Sequence, residues 1–341
     1  MHPTLALDIG GANLKAAHSD GTTRSVAFEV WRRPGELTAA VTDLIGLIPV
    51  FDLLAVTMTA ELCDCFATKH DGVTAVLDAV ERAVREIGSS VSVRVWLTDG
   101  RFVAPDTARA EPLRAAAANW LATATWAGRF CPTGNALVVD VGSTTTDIVP
   151  LRDGKPTPHG RTDFDRLATG ELVYSGIRRT PLCAVTHLVT VSGRARRVAA
   201  ELFATTEDVH LWRGDLAERP KATDTADGRP ATRPLASARL ARMVCADRTM
   251  LGDADVDQLA EQFAAAQLAT LAGAARHVAD RLGRQLRTIV IAGSGEFLAR
   301  RVATKLGFEA DEIICIGERF GPAASAAACA FALAVLASEQ H

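Results

Sequence analysis

Short apolar runs closed by glycine dominate the start of the chain. Residues 4–9 (TLALDI) end at Gly10-Gly11, the pattern of a buried strand entering a tight turn. A second strand is predicted near 13–18, Asp20-Gly21 marks a hairpin, and a third strand is predicted near 23–31. Helical periodicity follows at 36–47, a strand pattern at 52–58 and an amphipathic helix at 73–86. Residues 91–97 (VSVRVWL) predict another strand, and the Ala-rich stretch 110–127 another helix.

The pattern then restarts. NALVVDVG (135–142) repeats the logic of TLALDIGG, with a strand at 146–151 after the turn and Asp153-Gly154 closing the hairpin as Asp20-Gly21 closes the first. The repeat predicts duplicated domains: 1–130, with a C-terminal helix 321–340 packing back on it, and 131–320, with an inserted segment over about 160–250. Residues 215–234 carry charge, Pro and Gly without periodicity and predict a loop too long for a mere connection. Helices are predicted near 234–245, 255–283, 295–306 and 321–337, with a strand at 287–292.

A chain of 341 residues exceeds what one core usually fills, which agrees with two domains. Its net charge of −3 supplies no broad positive field, so nucleic acid is not an expected partner. MHPTLALDIGGANLK lacks the basic and apolar regions of a signal peptide, and the apolar 321–337 segment is too short for a membrane span. The seven cysteines are scattered, and the Cys63/Cys65 spacing is not that of a zinc site. Reduced thiols in a cytoplasm are expected. The oligomeric state stays open, a homodimer among the options.

The chemistry gathers at the glycine turns. Phosphate oxygens need convergent N–H donors and a close backbone approach, which such turns supply. Asp8-Ile9-Gly10-Gly11 and Asp140-Val141-Gly142-Ser143-Thr144-Thr145 each offer one, beside a carboxylate that can hold Mg²⁺ directly or through water. Asp147 is a third candidate metal ligand, and Asn13 sits in the first turn. Lys15 emerges from the second strand of its hairpin and can reach a phosphate as a point charge. TIVIAGSGEF (288–297) runs from a strand through Gly293-Ser294-Gly295 into a helix, and reads either as backbone for a nucleotide or as an ordinary turn.

Three such elements in this order resemble the two phosphate motifs and the adenosine motif of the sugar kinase, heat-shock chaperone and actin superfamily. The Asp8-to-Lys15 spacing is similar to that of actin. That resemblance implies two actin-like (ribonuclease H-like) α/β ATPase domains flanking a phosphate-binding cleft. Residues 57–73, 169–184, 223–233 and 238–247 resemble a narrower family, the hydantoinase/oxoprolinase-related proteins of the tetrahydromethanopterin-linked one-carbon pathway. Its archaeal relatives are methanofuran (methylofuran) biosynthesis condensing enzymes. The resemblance implies a transferase that joins an aminomethylfuran-methyl diphosphate to the phenol of a γ-glutamyl-tyramine or tyrosine derivative, forming an ether and releasing diphosphate.

That reaction needs a neutralised leaving group and an aimed nucleophile. The two loops, Lys15 and Mg²⁺ suit the first task. Glu61, just after the 52–58 strand, is the preferred general base for the second, with Asp64 in reserve. Arg178 and Arg179 can pair with phosphate or a carboxylate, and Asp224, Asp227 and Arg229 lie on the long loop that could close over substrate. His187, between apolar residues, reads as structural. An ATP-dependent kinase or ATPase, and a nucleotide-gated scaffold, use the same loops, because a fold fixes the phosphate site and not the reaction.

Overall fold

The computed structural model describes residues 2–88, 91–283 and 286–340. Strand β1 (Thr4–Ile9) is buried throughout and pairs antiparallel with β2 (Asn13–His18), which pairs with β3 (Thr23–Ala27). Helix α1 (Leu37–Gly46) leads to β4 (Leu53–Met58), parallel to β1. Helix α2 (Lys69–Glu86) follows, then β5 (Ser92–Trp96) parallel to β4, and the short edge strand β6 (Phe102–Val103). The sheet order is β3-β2-β1-β4-β5-β6.

Helix α3 (Asn119–Ala127) leads into the second sheet. There β7 (Asn135–Val141) pairs antiparallel with β8 (Thr146–Arg152), and β8 also carries the short β9 (Lys155–Pro156). Helix α4 (Asp163–Thr169) precedes β10 (Leu172–Val173), which pairs with β8. An insertion follows: the hairpin β11 (Leu188–Val191) and β12 (Arg194–Arg197), then α5 (Thr206–Arg213), α6 (Arg233–Arg242) and the long α7 (Asp253–Asp280). Strand β13 (Leu286–Ala292) returns parallel to β7, α8 (Glu296–Leu306) follows, and β14 (Ile313–Cys315) pairs parallel with β13. The central order β8-β7-β13-β14 repeats β2-β1-β4-β5, so both sheets are variants of one ribonuclease H-like pattern.

The last helix, α9 (Ala328–Ser338), packs on β1, β2, β4 and α3. It is apolar all round because it lies in a core shared by both sheets, which includes Ala6 and Ala55 of the first and Val138 and Val149 of the second. Its alanines allow close approach, and Phe331 fills the remaining space against Trp126, with ring centroids 5.3 Å apart. No helix among the described residues is long and apolar enough to cross a membrane.

Three expectations change at their edges. Composition predicted one helix over 110–127, but Ala116 bridges to Met58 at the end of β4 and Ala117 takes a φ of 47°, so α3 starts only at Asn119. The third strand stops at Ala27 because the amides of Phe28 and Val30 bond to the carbonyls of Ala12 and Gly11, wrapping the chain around the first glycine turn. The terminal helix breaks at Ala327, between a short helical turn at Pro322–Ala326 and α9.

Glycine is required where α2 meets the turn after β4. A Cβ on Gly72 would lie 2.2 Å from the Glu61 carbonyl oxygen. Gly72→Ala should therefore lower unfolding stability by roughly 1–3 kcal/mol in urea titrations, the usual cost of overpacking. Unchanged stability would mean that the Ala60–Leu62 turn does not seat on α2 as described.

Candidate active site

The two hairpins end in equivalent turns. Gly10 donates its N–H to the Asn13 carbonyl at 3.0 Å, and Gly142 donates to the Thr145 carbonyl at 2.9 Å. A Cβ on Gly10 would lie 2.8 Å from the Asn13 oxygen, so the first turn closes only around glycine. Register places Asp8 opposite Lys15 and Asp140 opposite Asp147. Lys15 and Asp147 thus hold matching positions with opposite charge.

Both turns line one cleft of about 270 Å³. Asp8, Asp140 and Cys329 are buried at its floor, and the exposed side chains of Leu62 and Tyr174 mark its rim. Burial raises the Asp8 carboxyl above its usual range; Lys15 opposes the shift and Asp147 adds to it. Asp140 is pushed up to about 7, chiefly by burial and then by Asp147, with Lys15 opposing. The Cys329 thiol faces Asp140 Oδ2 at 3.8 Å and accepts a hydrogen bond from Thr123 at 3.1 Å.

Of the residues expected from sequence, the structure brings Asp8, Gly10, Gly11, Asn13, Lys15, Asp140, Gly142, Ser143, Thr144, Thr145, Asp147 and Arg179 to this cleft. Glu61 is not part of its lining. The helical turn Ala60–Leu62 tucks Glu61 behind a wall made by Thr59, Leu62 and Cys63, buried and with Oε2 unpartnered. Asp64 is exposed and also outside the lining.

Arg178, Asp224, Asp227 and Arg229 are not in the cleft either. Arg178 pairs with Glu207, and Arg219 bridges Glu207 at 2.7 Å and Asp224 at 3.1 Å. Asp227 binds Arg229 at 2.6 Å and the buried Arg239 at 3.0 Å. These ion pairs fix the 215–234 loop onto α5 and α6, which is why a loop of that length is ordered. The Gly293-Ser294-Gly295 turn lies outside the lining as well. A Cβ on Gly293 would lie 2.2 Å from the Val141 oxygen, and Gly295 donates to that oxygen at 2.9 Å. These glycines serve the close packing of β13 on β7.

Sequence reading missed Trp31, Asn119, Asp163, Tyr174 and Cys329, which line the cleft, and Arg166 behind it. Arg166 is fully buried, binds Asp147 at 2.9 Å and stacks 4.1 Å over Trp120. A capping box from Thr162 to Asp165 was the one legible signal for α4, the helix that brings in Asp163 and Arg166.

Among the described residues, no group of three His, Cys, Asp or Glu side chains is placed to ligate a metal directly. The floor still suits a hydrated cation. Asp8 Oδ1 is buried without a partner; Asp147 raises the proton affinity of Asp8 and of Asp140, and Asp8 adds to the shift at Asp140.

Glu61 gives a pH signature. Burial pushes its carboxyl up to about 7; Lys69 opposes the shift, and Asp163 and Asp8 add to it. Between pH about 4.5 and 7 the folded carboxyl keeps a proton that the unfolded one has lost, so this group's stabilisation declines as pH rises through that window. Glu61→Gln should flatten the slope and leave the variant more stable than the parent at pH 8, by an amount on the order of 3 kcal/mol. Urea unfolding at pH 5 and pH 8 measures this, and parallel pH profiles for the two proteins would refute the assignment.

The sequence profile of the hydantoinase/oxoprolinase family matches residues 52–340. The chain is 33% identical over 339 residues, 98% of each protein, to the (4-{4-[2-(gamma-L-glutamylamino)ethyl]phenoxymethyl}furan-2-yl)methanamine synthase of Methanocaldococcus jannaschii. A synthase of the same name from Methanococcus vannielii is 32% identical over 203 residues, 59% of this chain and 90% of the relative. Nucleotide-free acetone carboxylase superposes with a TM-score of 0.57 over 98% of this chain and 70% of its own, at 12% identity, which is a likeness of fold. With its two actin-like sheets, and a family profile spanning all but its first three strands and α1, the chain belongs to the hydantoinase/oxoprolinase family.

Proposed function

We propose that the chain is a transferase of methylofuran-type biosynthesis. It joins a (5-aminomethylfuranyl)methyl diphosphate to the phenol of a γ-glutamylated tyramine or tyrosine. The observation that carries this reading is the convergence of two phosphate-type turns, Lys15 and the carboxylates of Asp8, Asp140 and Asp147 on one cleft, in a chain that matches such a synthase over 98% of its length. The relatives' name describes the same phenoxymethyl-furan ether.

The reaction breaks the bond between the furan-bearing methylene and the diphosphate oxygen, and the electron pair leaves with diphosphate. The furan ring spreads the positive charge that develops on the methylene. The phenol oxygen then bonds to that carbon and releases its proton. N–H groups of the Gly10–Gly11 and Gly142–Thr145 turns, with Lys15, would meet the charge growing on the leaving group. Asp8, Asp140 and Asp147 would hold Mg²⁺ through water, and the ion would supply further neutralisation of diphosphate.

Asp163 takes the proton in this scheme. It lines the cleft, and burial raises its carboxyl above the usual range. The 293–295 turn, which a kinase reading would use for adenine, lies outside this lining.

The decisive experiment incubates the purified protein with the furan-methyl diphosphate, γ-glutamyltyramine and Mg²⁺, and scores ether and diphosphate by mass. Product without ATP is expected; turnover that requires ATP would overturn the reading. Asp140→Asn should cost about a hundredfold or more in kcat/KM, roughly 3 kcal/mol, with the fold intact by circular dichroism.

A second measurement addresses the leaving group. With Mg²⁺, diphosphate should raise the melting temperature of the parent, and ATP should add little beyond its phosphates. Lys15→Ala should lose most of that protection. Equal protection of both proteins would show that Lys15 does not face phosphate.

A further inference from the structure

Arg178 and Arg179 are neighbours with opposite fates. Arg178 turns inward to Glu207, whereas Arg179 is exposed, lines the cleft and has no carboxylate partner among the described residues. Its guanidinium lies 4.4 Å over the ring of Trp31. Trp31 reaches this point because the chain after β3 wraps the first glycine turn. Arg179 follows a strap that grips the second: the amides of Arg178 and Arg179 both donate to the Ser143 carbonyl at 3.0 Å. A Cβ on Gly176 would lie 2.5 Å from the Ser143–Thr144 backbone, so this strap cannot slide. The stack therefore joins the two halves across the cleft mouth, at a fixed offset from the phosphate turns.

A guanidinium stacked by its face keeps its N–H donors in the plane, where they point sideways. Beside it Tyr174, 59% exposed, adds an aromatic surface to the same cleft. We infer that Arg179, Trp31 and Tyr174 form an acceptor subsite at the rim, distinct from the phosphate floor, which takes a phenolic ligand with a flexible carboxylate arm: the ring lies against Trp31 and Tyr174, and the carboxylate pairs with Arg179. This inference rests on the proposed condensation and deepens it. It assigns recognition of the γ-glutamyl arm to one residue, and it makes the enzyme discriminate glutamylated from bare phenolic amines.

The test compares γ-glutamyltyramine with tyramine as acceptors for the parent, Arg179→Gln, Arg179→Lys and Trp31→Ala. The parent should prefer the glutamylated acceptor by about 10- to 100-fold in kcat/KM, the value of one charge-assisted pair. Arg179→Gln should bring that ratio close to one through a raised KM for γ-glutamyltyramine, and Arg179→Lys should recover part of it. Trp31→Ala should weaken the preference by freeing the guanidinium.

Calorimetric binding of γ-glutamyltyramine to the protein without any diphosphate separates the two claims. Arg179-dependent binding without ether formation would sink the proposed reaction and keep the subsite. An unchanged acceptor ratio in Arg179→Gln would overturn the subsite. Loss of diphosphate thermal protection in that variant would also overturn it, because Arg179 would then be a phosphate ligand.

Discussion

The repulsion among carboxylates buried at the ends of two central strands is the constraint on which the rest of this structure depends. Asp8 and Asp140 terminate β1 and β7, and each is removed from water beside the field of Asp147. A buried charge without a partner is expensive, and a fold selected for stability alone would place an apolar residue there. Every surrounding element can be read as a response. Lys15 lowers the proton affinity of both aspartates, and Arg166, clamped between Trp120 and Asp147, offsets the third carboxylate from behind. What remains unbalanced faces an open cleft. That is where a cation, or a phosphate carried together with one, has most to contribute.

Holding two strand ends at that cleft requires a rigid seam, and the shared core supplies it. Helix α9 is buried on all sides and carries Cys329 to the floor, while α3 contributes Thr123, which hydrogen-bonds that thiol. Because the alanine-rich seam spans both sheets, small changes in it would be felt at the floor as shifts in the distance between the two turns.

The fold was legible because its signals are local. Glycine turns after apolar strands, Asp-Gly hairpins and helical periodicity are written within a few residues, and the restart at 135–142 exposes the duplication directly. The two glycine turns that line the cleft were legible for the same reason. What could not be read was orientation. Arg178 and Arg179 are identical in type and adjacent, and only the tertiary position of Glu207 decides which of them turns inward. Glu61 looked well placed after β4, but its helical turn and the packing against Gly72 put it behind the wall. Gly293 and Gly295 resembled a ligand turn, whereas tight packing against Val141 accounts for them. Tyr174 gave no local signal and Asp163 only the capping box that starts α4, since their place depends on how α4 and β10 lie against β8.

The duplicated hairpins explain why one cleft can hold unlike chemistry at its two walls. Equivalent positions carry Lys15 in the first copy and Asp147 in the second. With lysine in both, the floor would lose a carboxylate that can hold a hydrated cation. With aspartate in both, the cluster would lose its central positive charge and the proton affinities of Asp8 and Asp140 would climb further. One copy therefore keeps the cation, which in the proposed reaction meets a phosphate oxygen. The other keeps the anion, and that anion is tolerable in a largely buried setting because α4 brings Arg166 to it. The capping box that starts α4 and the stacking of Arg166 on Trp120 thus belong to the same adaptation as the substitution at Asp147. Divergence between two copies of one hairpin has made a symmetric fold into an asymmetric site, which a reaction with one leaving group and one nucleophile requires.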